Sequence, residues 1–231
     1  MGVGRNDQNN PILPKLTTIW LPGSYTKVML RYAVTPDLQT LPSCGPDPSF
    51  LVAQCAELSH DGLDFLLIRE KHMTTRELTS LAQNILKATK PGGAMQVLIA
   101  RRADIAVATG AQGVHLSAHP GELSVSEVRR VFERLGREAF ISVACHALGD
   151  VQRAREEGAS AILFAPVFGK NVDGVEVVPG VGLDALRAAC SEAGEIPVFA
   201  LGGVTSANAA ECVRAGAKGV AGIRMFFARS S

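Results

Sequence analysis

Cationic side chains and one histidine follow several short apolar runs of this sequence. They are Arg69, Lys71, Arg101, His146, Lys170 and Arg224. Cationic groups outnumber carboxylates at the ends of these runs, although the whole chain has 23 Lys and Arg residues against 22 Asp and Glu residues. Positive charge concentrated in a nearly neutral protein indicates an anionic small-molecule ligand, and phosphate is the first candidate.

A pair of glycines stands in the most informative local segment, FALGGVTSANAAECVRAGAKGVAGIR. Gly202 and Gly203 put no side chain between their backbone N–H groups and a ligand, and a helix predicted to begin near Thr205 would point its N-terminus at the same place. Gly222, Ile223 and Arg224, after the next apolar run, would complete a phosphate site. A glycine pair also relieves crowding in a tight turn, so both interpretations stay open from the residues alone.

His146 directly follows an apolar run and precedes a predicted helix, which places its ring at the edge of a sheet. An imidazole there can move protons near neutral pH, or it can simply cap or pack. Alternation along the strand should turn the neighbouring Cys145 into the core.

His115 and His119 are four residues apart without sharing a helix, and no third ligand is evident. We therefore expect no metal site.

The elements that must position these residues alternate regularly from about residue 30 onward. Apolar runs predict strands over 30–34, 64–69, 94–100, 113–116, 139–145, 160–166, 197–202 and 218–223. Amphipathic patterns predict helices over 47–60, 74–89, 102–109, 122–135, 149–157, 183–193 and 205–215. Runs that are apolar throughout are typical of parallel strands buried on both faces. Eight strand–helix units predict an α/β fold, a (β/α)₈ TIM barrel, and no GxGxxG motif follows the first strand to favour an open sheet.

The chain divides into a predicted extension, residues 1–29, and a predicted barrel, residues 30–231. Only MFFARSS follows the eighth strand, so the eighth helix should be truncated or missing. We expect the extension, with its three prolines, to cover the surface that an eighth helix normally covers.

Composition limits the class of protein. The 231 residues are 47% hydrophobic, which suits one globular domain. The first ten residues have no apolar signal core, and no run approaches the roughly 18 apolar residues of a membrane span. The five cysteines form no CxxC pair, and the net charge of +1 gives no reason for a nucleic-acid or membrane partner. These features predict a cytoplasmic protein, and a homo-oligomer is compatible with them.

Four segments resemble the thiamine phosphate synthase/TenI superfamily, in order and with matching spacing over about residues 30–226. They are DFLLIREK (64–71), ADIAVATGAQGVHLS (103–117), AILFAPVF (161–168) and ALGGVTSANAAECVRAGAKGVAGI (200–223). The resemblance implies a TIM barrel that acts where the thiazole and pyrimidine halves of thiamine are assembled. It implies a phosphorylated thiazole as the small-molecule partner.

The synthases of this superfamily hold Mg²⁺ on two aspartates. The corresponding positions here are Arg101, preceded by Ala100, and Pro120, and Leu67 replaces a glutamine that binds the diphosphate. A diphosphate leaving group needs its charge neutralised, normally by Mg²⁺ on carboxylates. Losing both ligands argues against efficient synthase chemistry.

The TenI-type thiazole tautomerases need no metal, and their histidine resembles His146. The resemblance therefore favours an isomerase with no cofactor, in which His146 moves a proton while Arg69 and Lys71 hold the substrate carboxylate. One alternative is a divergent synthase, a transferase that would use Mg²⁺ or would neutralise charge with Arg101 and Lys170. A second alternative is a non-catalytic binder of thiamine-related phosphates.

Overall fold

The computed structural model describes residues 18–19, 27–38, 47–89, 95–117, 121–172 and 175–227. Eight parallel strands form a closed barrel, and β8 pairs with β1 to close it. The strands are β1 (Leu30–Val34), β2 (Phe65–Ile68), β3 (Gln96–Ala100), β4 (Gly113–Leu116), β5 (Phe140–Cys145), β6 (Ala161–Phe164), β7 (Val198–Ala200) and β8 (Gly219–Gly222). This architecture confirms the predicted (β/α)₈ barrel. Its strands are short apolar runs because both of their faces are buried.

Helices alternate with the strands and surround the barrel. They are α1 (Pro48–His60), α2 (Thr75–Ala88), α3 (Ala103–Thr109), α4 (Val125–Glu133), α5 (Leu148–Glu156), α6 (Gly182–Ala193), α7 (Ala209–Arg214) and α8 (Arg224–Phe227). The side chains of Asp47, Thr74 and Ser124 accept backbone hydrogen bonds and cap α1, α2 and α4. No helix in the described part of the chain has the length and apolar character needed to cross a membrane.

The predicted start of α7 near Thr205 is wrong by four residues. The side-chain oxygen of Asn208 accepts a hydrogen bond from the Thr205 N–H at 2.8 Å, and its amide donates to the Gly203 carbonyl at 3.1 Å. These bonds hold the intervening residues in a turn, so the helix begins only at Ala209. Through the amide of Asn208, which directly precedes Ala209, the N-terminus of α7 still contacts Gly203.

Two short antiparallel strand pairs lie outside the barrel, Thr18–Ile19 with Lys27–Val28 and Lys170–Val172 with Val175–Val178. The rest of the predicted extension up to residue 26 is outside the described residues, so its role over the eighth helix stays a prediction. After β8 the short helix α8 agrees with the predicted truncation, and residues 228–231 are also outside the described range.

The barrel interior and the layer between barrel and helices are two separate apolar clusters. Four aromatic rings fill the interior, with neighbouring centroids 4.8–5.5 Å apart: Tyr32, Phe65, Phe140 and Phe199. Cys145 belongs to the outer cluster, as alternation along β5 predicted, and burial raises the pKa of its thiol to about 12. Cys145 is therefore a core residue. The opposite face of β5 carries Ser142 and Ala144, and His146 continues this alternation.

Candidate active site

A chain of three polar side chains crosses the barrel interior. The Ser142 Oγ lies 2.9 Å from the Tyr32 hydroxyl and 2.9 Å from Nδ1 of His115. Burial lowers the pKa of His115 to about 4, the Glu122 carboxylate acts in the opposite direction, and Arg69 acts in the same direction as burial. His115 is therefore neutral near pH 7 and lies within electrostatic reach of both charged groups. Tyr32, Ser142 and His115 were not predicted as site residues, although polar residues at inward positions of apolar strands are a usable signal.

Arg69 and Lys71 follow β2 at the C-terminal end of the barrel. Arg69 is half-buried, and its backbone N–H donates to the Thr35 hydroxyl at 2.9 Å. Lys71 is exposed. Neither side chain has an ion-pair partner within the described ranges, so both charges are available to a ligand.

Glu70, between these two cations, has a structural role. Its carboxylate is buried and accepts from the Thr35 hydroxyl at 2.7 Å and from the Leu38 N–H at 2.9 Å. Burial raises the pKa of Glu70, while these two hydrogen bonds and the Arg69 charge act against that rise. The carboxylate therefore ties the loop after β1 to the end of β2 and fixes the backbone that carries Arg69.

Arg101 follows β3 directly and has an unusual backbone. Its φ of 62° makes it the one non-glycine residue with positive φ in the described part of the chain. Its Nε contacts the Glu122 carboxylate, whose side chain is only 8% exposed, while the Arg101 side chain is 57% exposed. The same carboxylate accepts from the Ser117 N–H at 2.8 Å and from the Ser117 hydroxyl at 2.6 Å. The guanidinium is thus anchored through Nε, while more than half of the side chain is exposed.

The residues at this edge do not fit a magnesium ion. Ala100 ends β3 and Arg101 follows it, and the other position is Pro120, which lies outside the described residues and has no ligating side chain. Both oxygens of the Glu122 carboxylate already accept hydrogen bonds, and the adjacent Arg101 repels a divalent cation. Within the described ranges, no three His, Cys, Asp or Glu side chains come together as possible metal ligands.

His146 lies one residue beyond β5, exposed, with a defined ring orientation. Its Nδ1 is 2.7 Å from the carbonyl oxygen of Ala165, and its backbone N–H donates to Asp150 at 2.9 Å. A carbonyl oxygen only accepts, so Nδ1 carries the hydrogen. In the neutral ring Nε2 is then the free base, which is the arrangement that proton transfer requires.

The glycine pair has a packing explanation of its own. Gly202 and Gly203 have φ values of 91° and 62°. A Cβ on Gly202 would lie 2.6 Å from Pro166 Cα, and one on Gly203 would lie 2.6 Å from Phe168 Cβ. The turn therefore needs glycine whether or not a phosphate binds. In the described part of the chain the N–H groups of Gly203 and Val204 have no acceptor, which leaves them available to a phosphate. The phosphate site itself stays a prediction.

The remaining predicted residues lie at the same end of the barrel. Gly222 ends β8, Ile223 is 36% exposed, and Arg224 begins α8 with an exposed side chain. Lys170 begins one of the short strands outside the barrel, and its side chain is outside the described part of the structure.

Strand order places the predicted residues in two groups around the mouth. Because β7 pairs with β8, the loops after these strands are neighbours. Because β2 pairs with β3, the Arg69 and Arg101 segments are also neighbours. His146 follows β5, three strands from β2 and two strands from β7. The geometry therefore offers two groups of N–H and cationic donors with the imidazole of His146 between them.

Comparison with known proteins identifies relatives of the chain. Residues 34–226 match the family described as thiamine monophosphate synthase. A Geobacter sulfurreducens protein is 40% identical over 69% of this chain and 71% of its own length. A thiamine-phosphate synthase from Methanoculleus marisnigri is 37% identical over 69% of this chain and 72% of its own length.

Solved structures agree on the fold. A thiamine phosphate pyrophosphorylase from Pyrococcus furiosus aligns with a TM-score of 0.68 at 24% identity, over 85% of this chain and 86% of that one. The names of the relatives support the transferase alternative of the sequence analysis better than the isomerase that it favoured.

Proposed function

Because the chain belongs to the thiamine monophosphate synthase family, an enzyme family of thiamine biosynthesis, we propose that it is a transferase that joins a pyrimidine diphosphate to a thiazole phosphate. The 37% identity to a named thiamine-phosphate synthase across most of both chains is the observation that carries this proposal. The two groups of anion-binding donors support it, since the reaction needs two anionic substrates at once.

The chemistry of the transfer is a substitution at carbon. The thiazole nitrogen forms a bond to the methylene carbon of the pyrimidine, and the bond from that carbon to the diphosphate oxygen breaks. The diphosphate leaves with the electron pair, and stabilising its charge speeds the step. Arg69 and Lys71, which have no ion-pair partner in the described ranges, would bind this diphosphate. The N–H groups of Gly203 and Val204 and the segment 222–224 would bind the phosphate of the thiazole.

A second candidate is the thiazole tautomerase, and the ring orientation of His146 favours it. With Nδ1 donating to the Ala165 carbonyl, Nε2 can remove a proton from the non-aromatic thiazole and return it at another ring position. No bond to phosphorus breaks and no leaving group departs, so this reaction needs no magnesium. The residues after β3 fit this reaction more simply than they fit the transfer.

One pair of assays separates the two functions. Purified protein would be given the pyrimidine diphosphate with the thiazole phosphate, and in parallel the non-aromatic thiazole phosphate carboxylate alone. Thiamine phosphate would be measured by chromatography after oxidation to its fluorescent form, and aromatisation by ultraviolet absorbance. Both would be run with magnesium and with EDTA.

Two variants assign the chemistry. Arg69→Gln should lower kcat/KM for thiamine phosphate formation by about 100-fold, because an electrostatic contact to the leaving group is lost. His146→Gln should change that rate far less. Arg155→Gln, which removes an arginine at the C-terminal end of α5 beyond the mouth, serves as the matched control. If aromatisation occurs instead and disappears in His146→Gln, the protein is the tautomerase. If neither product forms, the transferase proposal is wrong, and the remaining hypothesis is a non-catalytic binder of thiamine-related phosphates.

A further inference from the structure

We propose that the Arg101–Glu122 ion pair takes the place of a divalent cation in this mouth: Arg101 binds the diphosphate, and the pair leaves no room for a metal. The inference rests on the proposed transferase function, because it concerns the leaving group of that reaction. It assigns Arg101 as a ligand-binding residue and Glu122 as the residue that positions it.

The backbone of Arg101 is the first observation. A positive φ costs a non-glycine residue about 1 kcal/mol or more, so it persists only where the surroundings enforce it. Here the N–H of Arg101 donates to the His115 carbonyl at 2.9 Å, which fixes the residue against β4. In this conformation the side chain contacts Glu122.

The Glu122 carboxylate is the second observation. Its side chain is almost fully buried and receives two hydrogen bonds from Ser117 besides the contact with Arg101. A buried carboxylate with both oxygens occupied holds a guanidinium in one place. Arg101 nevertheless stays 57% exposed, so part of its side chain is accessible to a ligand.

The third observation is that the Arg101–Glu122 pair presents nitrogen donors and leaves no free carboxylate oxygen. A guanidinium presents parallel N–H donors that match phosphate oxygens, whereas magnesium needs several oxygen ligands in octahedral geometry. Glu122 is the described carboxylate nearest to Arg101, and its oxygens are already in use. The mouth therefore binds an anion directly, through nitrogen donors.

The test measures binding rather than turnover. Inorganic pyrophosphate would be titrated calorimetrically into the full chain in EDTA, with inorganic phosphate in a parallel titration to separate a diphosphate site from a general phosphate site. We expect pyrophosphate to bind in EDTA. Arg101→Ala should weaken this binding at least about tenfold, and Arg101→Lys should retain part of the affinity because it keeps the charge. The control Arg155→Ala removes another arginine paired with a glutamate and should bind as the unchanged protein does.

A second measurement tests the exclusion of metal. Manganese would be titrated into each protein and the free ion followed by electron paramagnetic resonance. The unchanged protein should bind no manganese, whereas Arg101→Asp brings a second carboxylate beside Glu122 and should gain a site. Circular dichroism would verify that each variant folds. If Arg101→Asp does not fold, the pyrophosphate affinity of Arg101→Lys tests the proposal instead.

Each outcome decides the proposal. Pyrophosphate binding that requires magnesium, or that is unchanged in Arg101→Ala, overturns it, and so does an absence of pyrophosphate binding. Stoichiometric manganese binding by the unchanged protein also overturns it. Metal-free binding that depends on Arg101, in a protein that forms no thiamine phosphate, supports this proposal while the transferase function fails.

Discussion

Because His115 is buried, we expect the free energy of unfolding to depend on pH. Burial lowers its pKa from 6.5 to about 4 in the folded protein, whereas in the unfolded chain the ring is solvated. Above about pH 6.5 both states are neutral and the group has no effect. As the pH falls toward 4, the unfolded chain binds a proton that the folded protein does not bind. The free energy of unfolding therefore decreases through this window.

The size of the effect follows from the two pKa values. At pH 4 the unfolded ring is almost fully protonated and the folded ring is about half protonated, which corresponds to a loss on the order of 3 kcal/mol. Below pH 4 the folded protein also binds the proton, so the loss stops growing. This is a large part of the total stability of an ordinary domain.

Urea unfolding of the unchanged protein and of His115→Gln, from pH 7 to pH 4, would measure this contribution. Glutamine keeps a hydrogen-bonding group toward Ser142 but does not titrate. The variant should be less stable at pH 7, and the gap should narrow by about 3 kcal/mol at pH 4, since carboxylates contribute equally to both proteins. His60→Gln, at a side chain that is 93% exposed, should follow the unchanged protein. A gap that is constant with pH would refute the assignment of His115 as a neutral buried histidine.

Two further predictions concern packing. Gly203→Ala combines a positive φ with a Cβ 2.6 Å from Phe168 and should cost at least about 2 kcal/mol, whereas Gly110→Ala has positive φ with nothing within 4 Å and should cost about 1 kcal/mol. Equal costs in urea unfolding would show that the contact with Phe168 is unimportant. Burial raises the pKa of Cys55 and of Cys145 to about 12, so iodoacetamide at pH 8 should leave both unmodified until the protein is unfolded. Rapid modification of either thiol in the native protein, found by peptide mass spectrometry, would contradict the described burial.

The barrel was predictable because its signals are local. Each strand is a mostly apolar run, and α1, α2 and α4 begin after residues whose side chains bond to the first turn, as Thr74 does with Glu77. The start of α7 was mispredicted for the same local reason. Thr205 has the type of an N-cap, but Asn208 holds its N–H in a turn, and residue type alone does not choose between the two.

The site was predictable only in part, since its contacts are not local. Strand ends in a barrel converge, so the sequence indicated which cations would share the mouth. The partner of Arg101 is 21 positions away in the sequence, and Tyr32 is 110 positions from Ser142. Such pairs depend on the register between strands, which the pattern of apolar residues does not specify.

The charges of the mouth connect the two candidate functions. Arg69, Lys71 and Arg101 bring three positive charges to the ends of β2 and β3, where the Glu70 and Glu122 carboxylates also lie, while His115 contributes no charge near neutral pH. We expect these cations to hold one anionic group by direct contacts. A transfer reaction must also hold a second anion, so its phosphate has to be bound across the barrel by the N–H groups after β7 and β8. The tautomerase substrate would use both places as well, with its carboxylate at Arg69 and Lys71 and its phosphate at the loop of Gly203. We therefore expect the cations after β2 and β3, and not this loop, to distinguish the two reactions.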